Sequence, residues 1–144
     1  MGFETPSPIQ AQAIPALLTD AQDLIGLAQT GTGKTAAFGI PLLERLDPNF
    51  PHTQALILAP TRELGQQIGE QLQSFGKYLK GMNILTVYGG ANIQNQMRAL
   101  KKPQHIVIAT PGRLIDLIGR RAVNLENLEI LVLDEADEML NMGF

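Results

Sequence analysis

A glycine-rich segment, Ala28 to Thr35, has the residue types and the spacing needed to hold a phosphate group. It reads Ala-Gln-Thr-Gly-Thr-Gly-Lys-Thr and lies between an apolar run and a helix-like run. A strand, then a glycine turn, then a helix is the context that a phosphate-binding loop requires. Successive backbone N–H groups can then face one anion, and the helix adds the positive end of its dipole. The loop residues are Gln29, Thr30, Gly31, Thr32 and Gly33.

Lys34 and Thr35 give this segment its chemical character. A lysine at a helix N-terminus opposes the helix dipole, so its position becomes favourable only when an anion binds there. Thr35 supplies a hydroxyl that can bind Mg²⁺ on a bound phosphate. The alternative is an ordinary glycine-rich turn, which the flanking strand and helix patterns disfavour. The general phosphate-loop pattern has glycine where Ala28 stands, so a strict pattern search would miss this segment.

Two adjacent carboxylates form the second half of the candidate site. Asp134 and Glu135 follow an apolar run, Glu129–Leu133, that is typical of a strand. From the end of that strand, Asp134 can face the phosphate loop and bind Mg²⁺, while Glu135 can orient or deprotonate a water molecule. The alternative is that Asp134 caps a following helix. The presence of Lys34 in a candidate phosphate-binding loop earlier in the chain favours Mg²⁺ binding by Asp134 over capping.

The surrounding elements must bring these two halves together. Strands are predicted at Asp23–Leu27, Gln54–Ala59, Ile84–Tyr88, His105–Ala109 and Glu129–Leu133. Helices are predicted at Ser7–Leu18, Lys34–Leu46, Arg62–Tyr78, Ile93–Lys101 and Pro111–Gly119. The strands are almost entirely apolar, which is typical of a parallel sheet covered on both faces. Alternating strands and helices predict a doubly wound α/β domain, in which ligands bind beyond the carboxyl ends of the strands.

The composition narrows the class of protein. The chain has 144 residues, 44% of them hydrophobic, which is enough for one domain with a core. It has no cysteine, which excludes disulfides and thiolate metal sites. The two histidines, His52 and His105, are too few and too far apart in sequence to suggest a metal centre, and we expect both to be ordinary loop or strand-edge residues. No apolar run could cross a bilayer and no secretory signal is evident, so we expect a cytoplasmic protein without a membrane partner. The net charge of −3 argues against a generally basic nucleic-acid binder, so any such contact must be local.

Six segments together carry a family resemblance. They are Gly2 to Gln10 (GFETPSPIQ), Ala28 to Thr35, Pro60 to Leu64 (PTREL), Gly89-Gly90, Thr110 to Arg113 (TPGR) and Asp134 to Asp137 (DEAD). In this order they resemble the Q motif, motifs I and Ia, the GG motif, and motifs Ib and II of the first RecA-like domain of DEAD-box RNA helicases. The end of the chain, residues 134–144, is similar to bacterial members. The resemblance implies a three-layer α/β/α P-loop domain with a mainly parallel sheet, and ATP-dependent RNA unwinding.

The resemblance also implies a role for each motif. Gln10 would read adenine, since a carboxamide offers one donor and one acceptor, and would favour ATP or ADP over guanine nucleotides. Asp137 would couple the phosphate site to other parts of the helicase. The residues implied in sequence-independent RNA contact are Pro60, Thr61, Arg62, Gly89, Gly90, Thr110, Pro111, Gly112 and Arg113. The family usually has alanine where this chain has Gly65, a change that weakens the helix slightly.

The family continues beyond residue 144 with a strand bearing a Ser-Ala-Thr motif and a second RecA-like domain. That strand lies between the phosphate-loop strand and the Asp-Glu strand, so we expect a gap in the sheet here and an incomplete carboxyl end. We also expect the 144 residues alone to hydrolyse little ATP, because the second domain supplies arginines worth roughly 10³–10⁵ in rate. Two alternatives stay open: a non-catalytic fragment that binds adenine nucleotide and RNA, and another P-loop ATPase such as a DNA helicase.

Overall fold

Short apolar strands in parallel register organise the chain. The computed structural model describes residues 27–28 and 34–135, and every structural statement below concerns those residues. The strands are β1 (Leu27–Ala28), β2 (Ala55–Leu58), β3 (Ile84–Val87), β4 (Ile106–Ala109) and β5 (Ile130–Asp134). The helices are α1 (Lys34–Arg45), α2 (Arg62–Ser74), α3 (Ile93–Leu100) and α4 (Pro111–Gly119), with a 3₁₀ turn at Gly76–Tyr78.

The five strands form one parallel sheet in the order β1-β5-β2-β4-β3. In β2, Ile57 lies opposite Ile108 of β4 on one side and Val132 of β5 on the other. These residues pack with α1 and α2 on one face of the sheet, while Leu56 and Leu58 pack with α3 and α4 on the other. Every residue of β2 and β4 is buried, as expected for central strands covered on both sides. The predicted three-layer α/β/α arrangement is confirmed.

The expected gap beside the phosphate-loop strand is wrong for this structure. Strand β1 pairs directly with β5, with Leu27 opposite Leu133 and Ala28 opposite Asp134. Buried backbone N–H and C=O groups are costly to leave unpaired, and direct pairing of these strands satisfies them. The phosphate-loop strand and the strand that ends at Asp134 are therefore immediate neighbours.

The predicted helices agree closely with those observed, with one informative exception. Helix α4 begins and ends at the predicted residues. Its start is fixed by Pro111 in the first turn and by Thr110, which has the extended conformation of an N-cap residue. The predicted helix 62–78 instead ends at Ser74, where buried Phe75 leaves helical geometry with φ −86° and ψ 43°. A 3₁₀ turn follows. The predicted helix at 7–18 and most of the predicted strand at 23–27 lie outside the described residues.

Buried polar side chains fix the amino-terminal edge of the sheet. Gln54 Nε2 donates to the carbonyl oxygens of Asp47 at 2.8 Å and Phe50 at 3.0 Å. His105, which the sequence suggested to be an ordinary loop or strand-edge residue, is only 3% exposed. Its Nδ1 accepts from the Asn83 N–H at 2.9 Å, so Nε2 carries the proton and donates to the Pro48 carbonyl at 3.0 Å. These bonds hold the α1–β2 turn and the start of β3 against β4.

Two glycines of α2 differ in the space beside them. A Cβ added at Gly65 would lie 3.5 Å from Thr86 Cγ2 and 3.7 Å from Ile108 Cγ2, which are ordinary van der Waals distances. A Cβ added at Gly69 would lie 2.9 Å from Thr86 Oγ1, which is too close without movement. Helix α2 therefore has room for a methyl group at Gly65, whereas at Gly69 it lies tightly against Thr86 of β3.

We predict that Gly65→Ala raises the free energy of unfolding by about 0.5–1 kcal/mol, because alanine loses less backbone entropy in a helix. Gly69→Ala serves as the matched substitution and should lower it by about 1–3 kcal/mol through overpacking against Thr86. Urea denaturation of the two purified variants measures both effects. Equal effects of the two substitutions would show that the spacing between α2 and β3 does not control the outcome.

Candidate functional site

The parallel sheet gathers the polar segments at one edge. Strands β2 to β5 are each followed at their carboxyl ends by residues that the sequence analysis singled out. The described segments at this edge are 60–62 after β2, 89–90 after β3, 110–113 after β4 and 134–135 at the end of β5. Such an edge is where open α/β sheets bind ligands. The sites that are scattered along the sequence therefore share one edge of the fold.

Asp134 lies at the centre of the nucleotide half of this edge. It ends β5, is 1% exposed, and pairs in register with Ala28 of β1. Ala28 is the last described residue before the glycine loop, and α1 begins at Lys34 directly after that loop. The aspartate is thus one strand away from the chain that enters the predicted phosphate loop. The direct pairing of β1 with β5 was not predicted, and binding of Mg²⁺ by Asp134 stays a prediction.

Glu135 follows in an unusual backbone conformation. Its φ is +54°, in the left-handed region that residues other than glycine rarely adopt. Such conformations cost of the order of 1–3 kcal/mol and cluster at functional sites. The half-buried Glu135 therefore leaves the strand in a sharp turn. Lys34 and Thr35 lie in the first turn of α1, while Gln10, the loop residues Gln29 to Gly33, and Asp137 lie outside the described residues.

The oxygen ligands available here fit a magnesium ion that is bound together with a phosphate. Mg²⁺ is usually held by one or two protein oxygens together with substrate phosphates and water. Asp134 offers a buried carboxylate, and Thr35 belongs to the adjacent helix start. Within residues 27–28 and 34–135, no cluster of three or more His, Asp or Glu side chains could enclose a metal by itself. The donor set therefore suits Mg²⁺ on a nucleotide better than a protein-enclosed ion.

The segment after β2 presents an exposed arginine. Thr61 caps α2 in an extended conformation, and its Oγ1 accepts from the Leu64 N–H at 3.2 Å. The cap fixes Arg62 as the first residue of the helix. The Arg62 guanidinium carbon lies 5.5 Å from the centroid of the Tyr88 ring, within the range of a cation–π contact. The preceding Pro60 is buried.

The glycine pair after β3 lies beside that arginine. Gly90 has φ +86°, a conformation that favours glycine. A Cβ added at Gly90 would lie 3.9 Å from Arg62 Nη1, whereas one added at Gly89 would meet nothing within 4 Å. Both glycines are exposed. Arg62 and the glycine pair therefore lie side by side and exposed at this edge, while the RNA contact that the resemblance implies for them stays a prediction.

The segment after β4 begins a helix with its N-terminus at the same edge. Thr110 is the N-cap of α4, yet its side chain makes no capping hydrogen bond, in contrast to Thr61. Pro111 is buried and Gly112 is exposed. The first N–H groups of a helix have no partner within the helix, so α4 directs donors toward this edge.

Arg113 has a role inside the protein that the sequence did not predict. Its Nη1 donates to Gln96 Oε1 at 2.9 Å and to the Ala91 carbonyl at 3.3 Å. Gln96 is 8% exposed, and its Nε2 donates to the Tyr88 carbonyl at 3.1 Å. Arg113 thus braces the glycine loop from α4, while its pairing with an RNA phosphate stays a prediction. Gln96 and Tyr88 were missed, because a glutamine in a short helix and a tyrosine ending a strand carry no motif signal.

Within the described part of the chain, no helix has both the length and the apolar character needed to span a membrane.

Comparisons with known proteins identify the family. The family model described as DEAD/DEAH box helicase matches residues 7–144. The chain is 56% identical over its whole length to the DEAD-box ATP-dependent RNA helicase CshA of Bacillus subtilis (strain 168) and covers 29% of that protein. It is 54% identical over its whole length to the ATP-dependent RNA helicase DeaD of Haemophilus influenzae, of which it covers 23%. The chain thus spans about a quarter of the length of these relatives.

Two solved structures of DEAD-box proteins share the fold of this chain. The crystal structure of a DEAD box protein from the hyperthermophile Methanococcus jannaschii matches with a TM-score of 0.85 at 46% identity, over 99% of this chain and 38% of that one. The yeast DEAD-box splicing factor Prp28 matches with a TM-score of 0.86 at 38% identity, over 99% of this chain and 35% of that one. The sheet order, the clustered motifs and the family match together show that the chain belongs to the DEAD/DEAH box helicase family.

Proposed function

We propose that the chain is the ATP-binding part of an ATP-dependent RNA helicase of the cytoplasm. Residues 1–144 form part of a first RecA-like domain that works with a second one, and ATP hydrolysis drives local separation of an RNA duplex. One observation carries the proposal: buried Asp134 and the RNA-facing candidates Arg62, Gly90 and Thr110 occupy the same carboxyl edge of one sheet. The names of the relatives, ATP-dependent RNA helicases, agree with it.

The nucleotide half would work by positioning and charge. Backbone N–H groups of the loop, Gln29 to Gly33, surround the phosphates, and Lys34 places a positive charge against them. Thr35 and Asp134 would hold Mg²⁺, which when bound offsets negative charge on the phosphate oxygens. Glu135 accepts a hydrogen bond from the attacking water and then its proton.

Two further residues would complete the nucleotide half. Gln10 hydrogen-bonds to adenine through its carboxamide, which sets the preference for adenine nucleotides. Asp137 couples the phosphate site to the second RecA-like domain. Both residues lie outside the described part of the chain, so their support is the resemblance of the motifs that contain them.

The RNA half would read the backbone of the strand and not its bases. Arg62 and Arg113 pair with phosphates, the Thr110 hydroxyl and the first N–H groups of α4 donate hydrogen bonds, and Gly90 allows close approach. The neighbouring Pro60, Thr61, Gly89, Pro111 and Gly112 shape the same path. Contacts of this kind carry little sequence information, and contacts to the 2′-hydroxyl favour RNA over DNA.

The central test is substitution of the carboxylate that would accept the proton. We predict that Glu135→Gln lowers kcat of RNA-stimulated ATP hydrolysis by about 10²–10⁴-fold while nucleotide binding is kept, since general base catalysis contributes that much. The matched control is Glu129→Gln, an exposed carboxylate at the opposite end of β5. The assay uses the protein at its full natural length. Equal kcat values for both variants would contradict the role of Glu135.

The preference for adenine can be measured without hydrolysis. Ligand that binds only the native state raises stability by about 2.7 kcal/mol at one hundred times its Kd. We predict that Mg²⁺-ADP, but not Mg²⁺-GDP, raises the melting temperature, and that Gln10→Ala abolishes this difference. Gln12→Ala is the control, because it changes a nearby glutamine outside the proposed contact. If the Gln10→Ala variant still distinguishes ADP from GDP, Gln10 is not the residue that recognises adenine.

Substitution of two glycines with positive φ distinguishes the effect of backbone strain from the effect of a lost RNA contact. Gly90, with φ +86°, lies at the proposed RNA path, and Gly81, with φ +79°, lies in the turn before β3 at the other end of the sheet. Alanine at either position should cost about 1–2 kcal/mol of stability, because left-handed backbone is strained for residues with a Cβ. We predict that only Gly90→Ala also weakens RNA binding, measured by fluorescence anisotropy at a temperature where both variants are folded. Equal RNA affinities for both variants would place the RNA elsewhere.

A further inference from the structure

Tyr88 connects the three segments of the proposed RNA path, directly at Arg62 and Gly89 and through Gln96 at Arg113, and no motif gives it a role. It follows β3 and directly precedes Gly89. Its ring is half-buried beside α2, and its main chain faces α3. The residue thus stands at the junction between motif Ia, the GG motif and motif Ib.

The side chain of Tyr88 contacts the guanidinium of Arg62. The guanidinium carbon of Arg62 lies 5.5 Å from the ring centroid, and the tyrosine hydroxyl accepts from Gln66 Nε2 at 3.1 Å. Gln66 lies one turn after Arg62 on α2, so the ring is held by the same helix that carries the arginine. An aromatic ring attracts a cation through its electron-rich face. The contact restricts a long, exposed side chain that would otherwise sample many rotamers.

An arginine can make such a contact and bind a phosphate at the same time. Its guanidinium is planar, so one face can rest on a ring while the N–H donors point outward in the plane. Bidentate pairing with a phosphate uses those in-plane donors. Arg62 Nη1 already points toward the glycine pair, since a Cβ at Gly90 would lie 3.9 Å from it. The ring therefore leaves the phosphate-binding side of Arg62 available.

The backbone of Tyr88 is tied to motif Ib by two successive hydrogen bonds. Gln96 Nε2 donates to the Tyr88 carbonyl at 3.1 Å, and Gln96 Oε1 accepts from Arg113 Nη1 at 2.9 Å. The same Nη1 donates to the Ala91 carbonyl at 3.3 Å, on the far side of the glycine pair. Gln96 is nearly buried, so these bonds are shielded from water and hold the loop firmly.

We propose that Tyr88 is a positioning residue that pre-organises the RNA path. Its ring holds Arg62 toward Gly90, and its carbonyl fixes the glycine loop to α4 through Gln96 and Arg113. The inference rests on the proposed function, because it assumes that RNA binds at this edge. It predicts that the aromatic face of residue 88 raises RNA affinity only through Arg62. Pre-orientation lowers the entropy that is lost when RNA binds, so affinity rises without a new contact.

A double-mutant cycle on RNA affinity tests this inference. The variants are Arg62→Ala, Tyr88→Leu, their combination, and Tyr88→Phe, each in the protein at its full natural length. The probe is a fluorescein-labelled oligouridine, with Mg²⁺ and a non-hydrolysable ATP analogue present. Tyr78→Leu is the control, because Tyr78 is the other tyrosine of the chain and packs in the same helical layer but beyond the carboxyl end of α2, away from this edge.

We expect Tyr88→Leu to weaken RNA binding by about twofold to fivefold, the range of an exposed cation–π contact. Tyr88→Phe keeps the ring face and should bind RNA within about twofold of the parent protein. The double variant should bind no more weakly than Arg62→Ala alone, because the ring acts through the arginine. Tyr78→Leu should leave RNA affinity unchanged, and affinity for Mg²⁺-ADP should be the same in all variants.

The possible failures are distinguishable. If Arg62→Ala weakens RNA binding but Tyr88→Leu does not, or if the two losses are additive, the positioning role of Tyr88 is overturned and the RNA path stands. If Arg62→Ala itself leaves RNA affinity unchanged, both the RNA path at this edge and the role of Tyr88 are overturned.

Discussion

Parallel pairing of strands that are buried on both faces is the constraint on which the rest of this structure depends. Strand β2 pairs with β4 on one side and β5 on the other, and none of its residues reaches solvent. Because all strands run the same way, their carboxyl ends meet at one edge. The start of α1, the segments that the resemblance links to RNA and the acidic pair then lie at this edge, although Lys34 and Glu135 are near opposite ends of the described chain. The site is thus a consequence of strand direction before any side chain is considered.

The two edges of the sheet are built differently. At the amino edge, Gln54 and His105 use their polar atoms on backbone groups of Asp47, Phe50, Asn83 and Pro48, so their hydrogen-bonding capacity serves the fold. Left-handed backbone occurs at both edges, in Gly81 and Arg121 at the amino edge and in Gly90 and Glu135 at the carboxyl edge. Strain of this kind persists only where the surroundings hold it. The edges differ in what they present to solvent, because the carboxyl edge carries the exposed Gly89-Gly90 pair and the N-termini of α2 and α4.

The sequence predicted the frame of the fold well, because the signals for it are local. Apolar runs identified strands β2 to β5, and the Thr110-Pro111 pair identified the start of α4. The end of α2 was missed, because the burial of Phe75 depends on α1 and not on its own neighbours in sequence. The pairing of β1 with β5 was missed for the same reason, since strand order depends on contacts across the whole chain. For the candidate site, glycine spacing identified the loops, whereas the Tyr88–Gln96–Arg113 connection joins side chains on three separate elements and has no local signal.

The net negative charge of the chain bears on why pre-oriented donors would be needed for RNA binding. The 144 residues carry a net charge of −3, so in the proposed function RNA affinity would come from a few well-placed donors and not from net positive charge. Each phosphate contact to a single strand contributes a salt dependence of about 0.7 in log–log slope, so few contacts give a shallow dependence. A donor that is already oriented loses less freedom on binding than one that must first be ordered. In the proposed function, the contact of Arg62 with the ring of Tyr88 and that of Arg113 with the glycine loop would therefore help an acidic domain to bind a polyanion at one edge.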